Sequence, residues 1–168
     1  MKYHHKESDL QIRCVRYFRT QYPEFACLLF HPRNEGSGHS VEDRKRQSTA
    51  KKEGVQAGVA DLMLQLPAEY REPGVSWYDV THYHSIAFET KTKSGRQSPE
   101  QKLWQRYYEA SGGKYILFRD FETFQTEVDE YMANVPVAVK NRILDLHHDI
   151  ETEKTEQAKR ELQRIIEK

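Results

Sequence analysis

At 168 residues the chain fits one domain, since domains cluster at about 100–150 residues and a core of that size holds without staples. Lys and Arg total 26, as do Asp and Glu, so the formal charge is zero and the whole surface is not built to coat a polyanion. Apolar residues at 37% and charged residues at 31% describe a charged surface around short apolar runs rather than a disordered chain.

Residues 8–22 place Leu10, Cys14, Tyr17 and Phe18 at helical spacing, which predicts a first helix with one apolar face. "FACLLFHPRN" reads as a short buried strand running into a loop, with Pro32 and the polar cluster 34–38 as breakers. In "SVEDRKRQSTAKKEG", Ser40 is the expected N-cap and Gly54 the stop of a second, basic helix. A strand over "GVADLMLQLP" ends at Pro67, and Trp77, Tyr78, Val80, Thr81 and Tyr83 within 68–84 predict a β-hairpin extension. The strand at 85–92 has period two: Ile86, Phe88 and Thr90 face one side, and Ala87, Glu89 and Lys91 the other. "SPEQKLWQRYYEASGG" announces a helix through Ser98 as N-cap, Pro99 at its first position and Gln101 as capping-box partner, with Gly112 and Gly113 ending it. A buried strand "KYILFRD", a helix "FETFQTEVDEYMAN" and a mixed-charge helical tail over 136–168 complete the order. The sum is an α/β domain with helices on both sides of a small mixed sheet.

The longest apolar stretches fall well short of the roughly 18 residues of a membrane helix, and "MKYHHKESDL" has no apolar signal region, so a cytoplasmic protein with no membrane contact is expected. Cys14 and Cys27 form no CxxC pair and are expected as two buried thiols. His82 and His84 share a strand face but have no evident third and fourth partner for zinc. Trp104, Tyr107 and Tyr108 recur at helical spacing, as a core stripe does more often than a base-stacking platform.

Asp61 and Glu89 each interrupt an apolar strand, and Lys91 follows Glu89 on the same face. An isolated buried charge is costly or is neutralised, and two readings remain open. One is a buried ion pair between a carboxylate and Lys91. The other is a divalent-metal site, in which Asp61, Glu89 and the backbone carbonyl of Thr90 offer hard oxygen ligands to Mg²⁺ or Mn²⁺ while Lys91 orients the attacking water. Windows 41–56 and 91–106 carry five basic residues each, against three acids and one. They bring Arg44, Lys45, Arg46, Lys51, Lys52, Lys93, Arg96 and Lys102 forward as phosphate contacts, or as solvated helix faces.

The context of these residues is more specific. "KEGVQAGVADLML" followed by "AFETKTKSGRQSPEQKLWQRYYEASGGKYILF" resembles the virus-type replication-repair nuclease (VRR-NUC) branch of the PD-(D/E)XK nuclease superfamily. The shared pattern is a glycine-rich approach to an Asp-Leu strand, a Glu-x-Lys strand, a basic turn, a Ser-Pro-x-Gln helix and a glycine before the closing strand. "ESDLQ", the loop "HPRNEG" and the helix end "KKEG" also fit, so the resemblance runs from Glu7 to Phe124. It implies a restriction-endonuclease-like core over 1–134 and a helical C-terminal extension over 135–168. It implies Asp61, Glu89, Lys91 and Gln101 as catalytic residues, with Asp61, Glu89 and the Thr90 carbonyl as metal ligands. Glu7 corresponds to a further acidic contact, with Gln11 one turn along the same helix face; a capping box of Ser8 with Gln11 would instead leave Glu7 just outside that helix. Ala60 stands where the family often has Pro, and 68–84 is longer than a minimal member requires. The implied activity is Mg²⁺- or Mn²⁺-dependent hydrolysis of DNA phosphodiesters in replication, repair or recombination, by a phage-like homodimer acting on branched DNA such as four-way (Holliday-type) junctions. A different class is a catalytically inactive nucleic-acid-binding module of the same fold, and a third is an interaction module built on the tail 136–168.

Overall fold

All five residues of one strand, Ile86–Thr90, are buried, and the chain is organised around them. The computed structural model describes residues 6–32, 41–71 and 79–166, without the side chains of 41–44, 46–47 and 161–166. The main sheet has four strands in the order β1 (Leu29–Phe30), β2 (Leu62–Leu64), β5 (Ile86–Thr90) and β6 (Lys114–Phe118). Pairs β1/β2 and β2/β5 are antiparallel, while β5/β6 is parallel and sets Ala87 opposite Tyr115 and Glu89 opposite Leu117. A parallel pair needs a crossover, and α3 (Pro99–Ala110) supplies it.

The period-two reading of β5 holds. Ile86 and Phe88 join the larger core with Cys14 and Phe18 of α1 (Lys6–Gln21) and Phe124 and Val128 of α4 (Phe121–Ala133). Ala87 on the other face joins Ala60, Tyr108 and Tyr115, with Trp104 packed against them. Helices therefore cover both faces of a mixed sheet, and each large apolar side chain so buried contributes about 1.5–3 kcal/mol. A separate two-stranded antiparallel sheet pairs β3 (Ala68–Arg71) with β4 (Val80–Tyr83), the expected hairpin. Trp77 and Tyr78 lie outside the described residues, as does Ser40, the N-cap expected for α2 (Val41–Lys52). In α5 (Val137–Ile166), Val139 and Ile143 pack on the larger core, while Leu144, Leu146 and Ile150 face solvent.

Four expectations are corrected. The apolar run before Pro32 is mostly a 3-10 helix, Pro23–Leu28, leaving only two residues of strand, because Pro23 starts a helical turn that buries Phe25. Cys27 on that turn is exposed, whereas Cys14 is buried and its thiol is pushed up to about 12 by burial. Asp61 sits one residue ahead of β2 rather than inside a strand. Finally, α1 begins at Lys6, so Glu7 lies in its first turn and not outside it. The aromatic stripe of α3 is split: Tyr108 is buried with Trp104 stacked on it at 4.8 Å, and Tyr107 is 72% exposed.

Candidate active site

The turn before β2 lies against the start of α3. Gly58 has φ +81°, and a Cβ there would sit 2.5 Å from the Glu100 carbonyl oxygen, so only glycine permits this approach. The turn delivers Asp61 to β5, where its Oδ2 accepts the Thr90 N–H at 2.8 Å. A strand residue turns its N–H and C=O to the same edge, so the Thr90 carbonyl also faces the Asp61 side. The next residue alternates: the Lys91 N–H donates to the Phe118 carbonyl of β6 at 3.0 Å.

Glu89 is wholly buried. Its Oε1 accepts from the Lys91 ammonium at 2.6 Å and from the Gln101 side-chain amide, while among the described residues its Oε2 is met by the Tyr115 hydroxyl, at 3.4 Å. Burial pushes Glu89 up to about 7 and the charge of Asp61 adds to this, against the lowering effect of Lys91. Asp61 is also raised by burial; the Thr90 N–H, Lys91 and His31 oppose the rise, and Glu7 reinforces it.

Gln101 serves two ends at once. Its Oε1 accepts the Ser98 N–H at 2.9 Å, and Ser98 Oγ accepts the Gln101 N–H at 3.2 Å, completing the capping box. With the oxygen held there, the amide nitrogen is left pointing at Glu89. Glu7 reaches across from α1: its Oε1 accepts the Thr92 N–H at 2.8 Å. Arg119 secures the same turn by donating to the Thr92 and Gly95 carbonyls.

Asp61 is anchored through its peptide as well. His31 Nδ1 donates to the Asp61 carbonyl, and Gln11 Nε2 approaches the same oxygen at 3.4 Å. A carbonyl only accepts, so Nδ1 carries the proton in that contact. His31, Tyr115 and Arg119 were not singled out from sequence. Alternation along "KYILF" puts Tyr115 on the Glu89 face once the parallel register is known, but nothing local marks His31 or Arg119.

Glu7, Asp61 and Glu89 thus share one neighbourhood, and Lys91 is the one cationic side chain that forms an ion pair with any of them among the described residues. No group of three or more His, Cys, Asp or Glu side chains is placed to hold a metal among those residues. The oxygen atoms here that could hold a hard divalent cation are those of Asp61 and Glu89 with the Thr90 carbonyl. Of the basic residues, Lys93 lines a cleft of about 460 Å³ with Glu7, Lys91 and Arg119. Lys51 lines another of about 480 Å³ with Gly58, Ser98 and Gln101. Lys45, Lys52, Arg96 and Lys102 are exposed, and the side chains of Arg44 and Arg46 are outside the described set.

No protein-family model and no curated protein matches the chain. Among solved structures, one described as a VRR_NUC domain protein superposes with a TM-score of 0.55 at 18% identity, covering 77% of this chain and 90% of that one. That likeness establishes the fold: this chain has a VRR-NUC-type α/β fold, with a C-terminal helix. No helix among the described residues is long and apolar enough to cross a membrane.

Proposed function

We propose that this protein is a divalent-metal-dependent deoxyribonuclease of the PD-(D/E)XK type, hydrolysing DNA phosphodiester bonds at the site formed by Asp61, Glu89, Lys91 and Gln101. The observation that carries the reading is two carboxylates brought to one edge of β5, Glu89 wholly buried on the strand and Asp61 half-buried on the turn before β2, with one ammonium paired to Glu89. An ion pair alone accounts for Glu89 and Lys91. It does not account for Asp61, which turns toward the same point and has no cationic partner in bonding distance among the described residues.

Asp61 Oδ1, Glu89 Oε2 and the Thr90 carbonyl are the groups that would hold Mg²⁺ or Mn²⁺, with Glu7 a further candidate. Such an ion lowers the pKa of water and offsets charge building on the phosphate. The chain's own residues do the rest. Lys91 orients the water and stabilises its hydroxide form. Gln101 and Tyr115 fix the Glu89 carboxylate, and His31 and Gln11 fix the Asp61 peptide, so the acids are preorganised. Attack at phosphorus forms one P–O bond and breaks that to the leaving sugar oxygen, which takes up a proton. Lys51, Lys52, Lys93, Arg96 and Lys102, with Arg44, Lys45 and Arg46 of α2, supply the phosphate contacts.

The substrate is branched DNA such as four-way junctions, and the working unit is a homodimer, whose two-fold symmetry suits paired incisions; residues 1–134 form the nuclease unit and 135–168 its extension. The Lys91–Glu89 contact also favours a second reading, a catalytically inactive nucleic-acid-binding module in which that pair is structural. Incubating purified protein with four-way junction, flap and linear DNA, with Mg²⁺ or Mn²⁺, separates the two. Metal-dependent cleavage strongest on the junction supports the nuclease. Binding without cleavage, or equal cleavage by Lys91→Ala, rules it out.

A further inference from the structure

Beside the site, α1 and the residue after β1 enclose a groove of about 630 Å³, lined by Gln11, Ile12, Arg16, Arg19, Thr20 and His31 among others, with no carboxylate among the described lining residues. It runs along the flank of α1, and Val15 in its lining also packs against the core that holds Cys14 and Phe18. Gln11 and His31 line it and are the same two side chains that reach the Asp61 carbonyl. The groove therefore leads to the ligand turn. Arg16 and Arg19 are exposed and neither forms an ion pair among the described residues. Residues three apart on a helix set their Cβ atoms about 5–6 Å apart, so two guanidinium groups are presented side by side. Guanidinium matches phosphate in bidentate fashion and keeps its charge at any working pH. One turn before Arg16, Ile12 is 55% exposed, an apolar surface for the sugars rather than for a second charge.

We propose that this groove carries the sugar-phosphate backbone of the substrate strand flanking the scissile bond, with Arg16 and Arg19 as its phosphate contacts. The inference rests on the nuclease reading above and adds a track that the basic windows 41–56 and 91–106 do not contain. Charge complementarity selects the occupant: two cations and several neutral donors, with no acid among the described lining residues, fit a polyanion.

The test measures binding of the full chain to four-way junction DNA across a range of NaCl concentrations, without divalent metal so that no strand is cut. Wild type is compared with Arg16→Gln/Arg19→Gln and with Arg16→Lys/Arg19→Lys. Each duplex phosphate contact contributes about 0.9 to the slope of log affinity against log salt. The Gln pair is expected to lower that slope by about 1.8 and affinity by at least about tenfold, while the Lys pair restores the slope and all three proteins melt alike. An unchanged slope in the Gln pair, with wild type still binding, overturns the groove and leaves the nuclease reading standing. Loss of a dimer in the Gln pair at unchanged slope assigns the groove to a second copy of the chain and also overturns it. Failure of the wild-type chain to bind DNA at any salt overturns both.

Discussion

On one face of β5, Phe88 meets hydrocarbon, with the Phe124 ring at 4.8 Å and the Phe118 ring at 6.3 Å. On the other face, one residue along, Glu89 is equally buried but is met by an ammonium, an amide and a phenol. The same depth serves two purposes, so burial alone does not tell them apart. The difference is in what the neighbours leave over. Around Phe88 the neighbouring rings are apolar. Around Glu89 burial pushes the carboxylate up to about 7, and a second carboxylate is close enough to add to the rise.

Substitutions on the two faces are expected to separate activity from stability. Glu89→Gln removes the charge at nearly constant volume, and cleavage is expected to fall at least about 10²–10³-fold, the size of losing one preorganised electrostatic contact. Its fold is expected to survive at pH 7, because burial already works against the charged form of Glu89. Phe88→Ala reverses the pattern: denaturant unfolding is expected to show a loss of about 3–5 kcal/mol from the cavity, with cleavage per folded molecule retained at low temperature. If Glu89→Gln unfolds the protein while Phe88→Ala does not, the assignment of the two faces is wrong.

The pH dependence sharpens the same comparison. Glu89 titrates near 7 when folded and at 4.5 in its ordinary state, so the folded chain holds the proton more tightly. Its contribution is fully present below pH 4.5 and is lost as pH rises through 7, about 3 kcal/mol in all for metal-free protein. Melting curves from pH 5 to 8.5 are expected to show this decline in wild type and not in Glu89→Gln. A flat wild-type profile would place Glu89 in contact with a better-matched cation than Lys91 alone.

The smallest effect concerns Thr90. Its hydroxyl, on the hydrocarbon face, is the buried side-chain polar atom without a hydrogen bond among the described residues. Thr90→Val removes an unsatisfied group at constant shape, and a gain of about 1 kcal/mol is expected. Cleavage is expected to persist, since only the Thr90 carbonyl faces Asp61; its loss would show that the hydroxyl takes part.

Much of this was legible in the residues. Period two along 86–91 separates the hydrocarbon face from the charged one, and Ser98, Pro99 and Gln101 announce the start of α3 without any tertiary information. The spacing of Leu10, Cys14, Tyr17 and Phe18 likewise marks the buried side of α1. What was not legible depends on distances through space. Gln101 reads as either a cap partner or a site residue; only the fold shows that its oxygen and nitrogen do one each. Tyr115 becomes a partner of Glu89 through the parallel register of β5 and β6, which periodicity does not encode. His31 and Gln11 meet at the Asp61 peptide from separate elements, at separations of 30 and 50 residues. The run over 25–30 misleads for a local reason: a short apolar stretch carries no period, and Pro23 turns it helical.

The central claim is that Asp61 and Glu89 converge on one divalent cation. Crystals soaked in Mn²⁺ and measured for anomalous scattering test it most directly. A single strong peak within coordination distance of Asp61 Oδ1, Glu89 Oε2 and the Thr90 carbonyl, absent in Glu89→Gln, is the result expected. A peak held elsewhere on the chain, or none at saturating Mn²⁺ with the Lys91–Glu89 contact intact, would contradict it and return the pair to a purely structural role.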